Sequence, residues 1–308
     1  MGWLLLQEFD LSKIGLGTWL LGGDVKEKID NDDVRDINAI KYAINNGINH
    51  IDTSESYSGG KCERLIGQAI KSFDRKSIFI ATKVREWNLS YDNIISSCLK
   101  SLDRLQTDYV DLYYIHKQNK KFNIKDICIA LNYLLEKGLI KNVGLSNVGI
   151  KTIEEYNKYL LKKVYAVQNQ YNLICRESSK KNIIKYCREN NIKFVAWRPL
   201  LLSYPGCKAP MYERGTYPLL DNMAAKYNVS TVQIVAKWLL QQDNVYIVFK
   251  NDGSHKHVAN VDNIAFDVKS VEEKDNIPSG YTEATVNQWT PSGKWGCYFG
   301  NWSGTASG

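Results

Sequence analysis

Four polar side chains able to take part in proton transfer lie at or just after the ends of three apolar runs. They are Asp52, Tyr57, Lys83 and His116. A phenol alone titrates near pH 10, but a nearby ammonium stabilises the phenolate and lowers that pKa, and a carboxylate keeps the ammonium charged. Together with an imidazole, such a set is suited to transferring a proton to a carbonyl oxygen.

These apolar runs belong to a β/α alternation that recurs eight times. The runs that read as buried strands cover 14–18, 48–51, 78–83, 110–115, 140–145, 165–168, 193–197 and 245–249. Segments of helical period separate them, such as 92–102 with its single apolar stripe. Alternation of this kind predicts parallel strands with right-handed crossovers, and eight repeats favour a closed (β/α)8 TIM barrel of the α/β class. In such a barrel the four polar side chains would meet at one rim.

The chain has 308 residues, and its composition changes near the end. We predict one barrel domain over 1–276 and an extension over 277–308 that is rich in Gly, Ser, Thr and aromatic residues and nearly free of charge. So many aromatic side chains favour packing on the barrel over solvation. An artificial end to the chain is the alternative for this segment.

Charge and cysteine content narrow the partners and the compartment. The net charge of +7 comes from dispersed lysines, without the clustered basic patch that nucleic-acid binding needs. No apolar run approaches the roughly 20 residues of a membrane span. The seven cysteines are odd in number and form no C-x-x-C pair, so we expect a cytoplasmic protein with no metal site and no disulfide framework. A G-x-G-x-x-G fingerprint after a strand is also missing, which disfavours a Rossmann fold.

Over roughly residues 12–275 the chain resembles the aldo-keto reductases. The motifs that carry the resemblance are 14–19, 47–57 followed by 59–63, Thr82-Lys83, Ile115-His116, 143–147, 167–172 and 196–200. The resemblance implies that Tyr57 is the general acid in reduction, that Lys83 lowers its pKa and that Asp52 pairs with Lys83. It also implies that His116 orients the substrate carbonyl and helps to form an oxyanion pocket.

The resemblance also implies a nicotinamide cofactor. Ser146, Asn147 and Gln168 match the residues that hold the carboxamide, and Trp197 falls where a Tyr usually stacks on the ring. At the adenosine-phosphate end the matching residues are Lys250, Lys256 and Asn260. Lys256 replaces the usual Arg and grips a 2′-phosphate less firmly, yet the site stays basic, so NADPH (NADP⁺) is favoured over NADH.

We therefore expect NADPH-dependent reduction of an aldehyde or ketone by a monomer or weak homo-oligomer. Arg85 and Arg198 in strand-end loops favour a polar, even anionic, small carbonyl substrate such as a sugar, sugar phosphate or nucleotide-linked sugar. Two alternatives stay open. One is a cofactor-binding regulatory protein on the same fold, and the other is an enzyme that uses the nicotinamide for net non-redox chemistry, such as an epimerase or eliminase.

Overall fold

The computed structural model describes residues 11–173, 175–199, 218–229 and 231–250. Eight parallel strands, β1 to β8, form a closed barrel in chain order, which confirms the predicted architecture. The strands are Ile14–Gly17, His50–Asp52, Phe79–Val84, Val110–Ile115, Ile140–Ser146, Ala166–Gln170, Lys193–Trp197 and Val245–Lys250. The last strand pairs with the first, so none of the eight is left with a free edge.

Helices connect the strands on the outside of the barrel. In the described part of the chain they are α1 to α9, which cover Asp33–Asn45, Lys61–Ile70, Tyr91–Leu105, Ile124–Glu136, Ile150–Tyr159, Glu177–Lys180, Ile183–Glu189, Pro218–Tyr227 and Thr231–Leu240. Local signals set several ends. The side chain of Ser90 caps α3, and Gly138 after α4 takes a left-handed φ of 69° as a C′ glycine.

The predicted strand over 48–51 is shifted by the end of α1. The Ile48 amide donates to the Ala43 carbonyl at 3.1 Å, and Gly47 has a left-handed φ of 86°. Ile48 therefore completes the C-terminal turn of α1, and β2 begins two residues later. By contrast, the predicted limits of β4 and β7 agree with the structure.

Strand residues alternate between two cores. Inward-facing positions form a core inside the barrel, with Phe79 and Ala81 of β3 and Leu112 and Tyr114 of β4 among its members. The residues between them pack outward against the helices. Because Lys83 continues the inward series of β3, it lies at the carboxyl end of the barrel interior. Asp52, Ser146, Gln168 and Trp197 occupy the same kind of inward position on their own strands.

A buried ion pair fixes α2 between the barrel and α3. Glu63 is fully buried and accepts hydrogen bonds from Thr82 Oγ1 and Arg104 Nε, each at 2.6 Å. Gly67 of α2 allows close approach, since a Cβ there would lie 2.7 Å from the Arg104 carbonyl oxygen. Together these contacts hold the helix that follows Tyr57.

Several predictions fall outside the described residues. Lys256, Asn260 and the extension 277–308 all lie there, and the boundary between barrel and extension stays a prediction. Within the described part, no helix has the length and apolar character needed to cross a bilayer. Five cysteines in that part are buried and form no disulfide among the described residues, namely Cys62, Cys98, Cys128, Cys175 and Cys187.

Candidate active site

The four side chains predicted to transfer protons meet at the carboxyl rim of the barrel. Lys83 Nζ donates to Asp52 Oδ2 at 2.8 Å and to the Thr53 carbonyl at 2.7 Å. The same ammonium lies 3.5 Å from the Tyr57 hydroxyl oxygen. The ring of Tyr57 meets that of His116 edge to face, with centroids 6.1 Å apart. One polar centre thus joins residues from three strand ends.

The Lys83–Asp52 pair is almost completely removed from water. The Lys83 side chain is fully buried, and that of Asp52 is 6% exposed. Burial lowers the pKa of Lys83, and the adjacent Asp52 charge opposes this change. The second Asp52 oxygen accepts from Gln168 Nε2 at 2.7 Å, so both carboxylate oxygens have partners. The pair is therefore rigidly held as well as charge-balanced.

The pKa of Tyr57 moves in the direction opposite to the one expected from a neighbouring ammonium. Burial raises this pKa well above its ordinary value, and the charge of Asp52 raises it further. Desolvation prevails because the Lys83 charge is already balanced by Asp52 at 2.8 Å and reaches the phenol only at 3.5 Å. Burial therefore sets the direction of this pKa, and Tyr57 is a protonated phenol at neutral pH. That the charge of Lys83 lowers the pKa of Tyr57 stays a prediction.

His116 is a neutral imidazole. Burial, together with the smaller effects of the Lys83 and Arg85 charges, lowers the pKa of His116 to about 3. Its Nδ1 lies 3.3 Å from Ser54 Oγ. If the Ser54 hydroxyl donates to Nδ1, the ring hydrogen is on Nε2 and can be donated to a carbonyl oxygen. Sequence reasoning missed Ser54, although it follows Asp52 by two residues at the same strand end.

Tyr57 is positioned by a tight turn and by the loop after β1. The 3-10 turn Tyr57–Gly60 has left-handed φ values at three residues, among them 50° at Ser58. The Ser58 hydroxyl donates to the Leu21 carbonyl and its amide to the Asp24 carbonyl, both at 2.8 Å. The Trp19 ring lies 6.4 Å from that of Tyr57. Ser58 and Trp19 were not among the predicted site residues.

The residues predicted to hold a carboxamide form one hydrogen-bonded group. Ser146 Oγ donates to the Gln168 carbonyl at 2.9 Å. Asn147 has a left-handed φ of 59°, and its Nδ2 donates to the His116 carbonyl at 3.2 Å. The indole N–H of Trp197 donates to Asn147 Oδ1 at 3.1 Å. The group therefore lies directly beside the proton-transfer centre.

This group fits a nicotinamide. A primary carboxamide has one acceptor oxygen and two N–H donors. The Asn147 amide already donates to the His116 carbonyl and, at 3.0 Å, to Ser146 Oγ. The acceptors that remain for the carboxamide NH2 are Gln168 Oε1, for which no hydrogen bond is seen among the described residues, and the second lone pair of Asn147 Oδ1. Half-exposed Trp197 supplies a flat apolar face. Toward the phosphate end, Lys250 is the last residue of β8 and pairs with Gly17, whereas Lys256 and Asn260 lie beyond the described residues.

The fold and this site define an oxidoreductase on a (β/α)8 barrel. The family model "Aldo/keto reductase family" matches residues 13–277, and the chain belongs to that family. Glyoxal reductase of Bacillus subtilis is 32% identical over 246 residues, which cover 78% of this chain and 81% of the relative. NADH-specific methylglyoxal reductase of Escherichia coli is 31% identical over 214 residues, covering 63% and 65% of the two chains.

A solved structure has both this fold and a nicotinamide cofactor. It is an aldo-keto reductase from Klebsiella pneumoniae in complex with NADPH. The TM-score is 0.75 at 25% identity, and the alignment covers 90% of each chain. A nicotinamide cofactor therefore occurs on this fold in a protein similar to the present chain.

Proposed function

We propose that this chain reduces an aldehyde or ketone to an alcohol with NADPH, with Tyr57 as the proton donor. The observation that carries the proposal is the contact between the Tyr57 hydroxyl and Lys83 Nζ at 3.5 Å, where Lys83 is itself paired with Asp52. A partly buried phenol in contact with a buried ammonium, which is itself paired with a carboxylate, suits general acid catalysis at a barrel rim.

Each residue has a defined part in the proposed reaction. A reduced nicotinamide, when bound, supplies a hydride to the carbonyl carbon. Tyr57 and His116 donate hydrogen bonds to the carbonyl oxygen, where negative charge develops, and Tyr57 then gives up its proton. Lys83 stabilises the resulting phenolate, and Asp52 keeps Lys83 charged and in place. The raised pKa of Tyr57 keeps its proton in place at neutral pH until it is transferred.

The choice of NADPH over NADH rests on this chain's own basic residues. Relatives point both ways, because one is NADH-specific and the Klebsiella structure contains NADPH. Lys250 and Lys256 supply two positive charges for a 2′-phosphate, and Asn260 accompanies them at the family position. We also propose a small polar carbonyl substrate, as in the glyoxal reductase relative, and a cytoplasmic location in line with the scattered cysteines.

Replacing Tyr57 by Phe tests the proposal. We expect Tyr57→Phe to lower the rate of NADPH consumption by about 100- to 10,000-fold, because the proton donor is lost. The dissociation constants for NADPH and NADH, measured by titrating tryptophan fluorescence, should stay within about threefold of wild type because the phenol contributes only to the transition state. Tyr91→Phe, on the outer face of α3 and 40% exposed, is the matched control.

The same experiment separates the alternatives. A regulatory protein would bind the cofactor but show no appreciable turnover in the wild type. A non-redox enzyme would convert its substrate without net loss of NADPH. Turnover of Tyr57→Phe within tenfold of wild type would remove Tyr57 from the acid role, and equal affinities for NADPH and NADH would remove the cofactor preference.

A further inference from the structure

A guanidinium in the loop after β3 lies beside the proton-transfer centre. Arg85 Nη2 donates to the carbonyl of Ser56, the residue before Tyr57, at 3.3 Å. The Arg85 backbone N–H donates to Glu55 Oε1 at 2.8 Å. Both contacts tie Arg85 to the segment that carries Tyr57. The positive charge of Arg85 also helps to lower the pKa of His116.

Arg85 has no carboxylate partner among the described residues. Its neighbour Glu55 directs Oε1 to the Arg85 backbone and to the Asn88 side-chain amide, the latter at 3.1 Å. Two other partly buried arginines each have a carboxylate partner. Arg75 pairs with Asp111 at 2.8 Å, and Arg104 pairs with Glu63 at 2.6 Å, with only 20% and 19% of the two arginine side chains exposed.

The charge and the donor geometry of Arg85 suit a carboxylate. A guanidinium has five N–H donors. In Arg85 one of them, on Nη2, donates to the Ser56 carbonyl, so the others remain for a second group. A guanidinium matches the two oxygens of a carboxylate with parallel hydrogen bonds. One positive charge balances one carboxylate, whereas a phosphate monoester carries about −1.5 to −2 and calls for a second cation.

We infer that Arg85 binds a carboxylate of the substrate while the substrate's carbonyl oxygen lies at Tyr57 and His116. The preferred substrates are then aldehydes or ketones that carry a carboxylate. This inference rests on the proposed carbonyl reduction and adds a specificity-determining residue to it. Arg85 takes no part in proton transfer, so its effect falls on substrate binding and discriminates charged from neutral substrates.

A pair of matched substrates tests this role. The test compares 4-carboxybenzaldehyde with its methyl ester, which has the same aldehyde and no charge. For Arg85→Gln we expect kcat/KM for the acid to fall at least about tenfold, mainly through KM, because a charge-assisted hydrogen bond is lost. The ester should change less than about threefold, and Arg85→Lys should retain part of the preference for the acid.

The control removes the same charge elsewhere. Arg188 of α7 is 53% exposed and lies 3.8 Å from Asp243. Because Asp243 directly precedes β8, Arg188 is near the amino end of the barrel, away from the candidate site. Arg188→Gln should change kcat/KM less than twofold for either substrate. Equal losses for acid and ester in Arg85→Gln, or no loss for the acid, would overturn the inference.

A binding measurement keeps this inference separate from the proposed function. Calorimetric titrations of wild type and Arg85→Gln with 4-carboxybenzyl alcohol and its methyl ester require no turnover. If Arg85→Gln weakens binding of the acid but not of the ester, the carboxylate site is supported. This holds even if the wild type reduces neither aldehyde, although the missing turnover would then refute carbonyl reduction for these substrates. Unchanged binding of the acid refutes the site whatever the activity.

Discussion

The buried Lys83–Asp52 pair leads to a quantitative prediction about stability. In Asp52→Asn the side chain keeps its size but loses its charge, so the ammonium of Lys83 remains in the barrel interior without a counter-ion. The side chain of Lys83 is fully buried, and the two charged atoms are 2.8 Å apart. An asparagine that still accepts from Gln168 would also turn its NH2 group, a donor, toward the ammonium.

The expected cost follows from the burial of the pair. With an effective dielectric constant of about 20, unit charges about 3 Å apart attract each other by roughly 6 kcal/mol, and desolvation offsets part of this. Removing one partner of such a buried pair typically destabilises a protein by about 3–5 kcal/mol. We expect Asp52→Asn and Lys83→Met each to lose stability in that range, because each leaves a buried group unmatched.

The assay is urea unfolding at neutral pH of the wild type, both single variants and the double variant. The double variant should lose about 2–3 kcal/mol less than the sum of the single losses, since neither charge then remains alone. The exposed pair Lys185–Glu189, 3.9 Å apart on α7, is the control, and Glu189→Gln should change stability by less than about 1 kcal/mol. Losses that add to within about 0.5 kcal/mol would refute the reasoning.

Two further predictions concern a buried histidine and a tightly packed glycine. His50 is buried, neither of its ring nitrogens has a hydrogen-bond partner among the described residues, and burial lowers its pKa to about 4. As the pH falls, the histidine of the unfolded chain is protonated before that of the folded chain, so stability falls between about pH 6.5 and pH 4. His50→Leu should remove about 1.4 kcal/mol per pH unit from this pH dependence of stability, measured by thermal unfolding. Unchanged slopes would contradict this account. Gly67→Ala should lower the stability measured by urea unfolding by about 1–2 kcal/mol. A Cβ within 2.8 Å of two backbone oxygens of α3 costs more than the roughly 1 kcal/mol that alanine adds through helix propensity. An increase in stability would refute this prediction.

Much of the fold could be predicted because its signals are local. Alternation of apolar strands with helical segments predicts the barrel, and strands β4 and β7 lie at their predicted limits. The start of β2 was predicted two residues too early because Ile48 closes α1, and an apolar residue can end a helix as well as begin a strand. Positions such as Ser54 and Ser58 were missed because hydroxyl residues near a turn have many possible partners.

Electrostatic properties could not be predicted in the same way. The sequence places a lysine near a tyrosine, and the pair alone indicates a lowered phenol pKa. Burial reverses that direction, because desolvation of the phenolate outweighs an ammonium already balanced by Asp52. The partners of Arg85 could not be predicted either. Within the described part of the chain it has no carboxylate partner, because Glu55 Oε1 accepts instead from the Arg85 backbone and from Asn88.

By itself the sequence determined the alternation of strands and helices and placed Asp52, Lys83 and His116 at or next to strand ends, because apolar runs and helical stripes are local patterns. Only the tertiary structure decided which of these residues touch. Gln168 donates to Asp52 across 116 positions of the chain, since closing the barrel brings β6 opposite β2. Closure also excludes water from Lys83 and Asp52, and the resulting low dielectric makes their mutual contact the dominant interaction of the site.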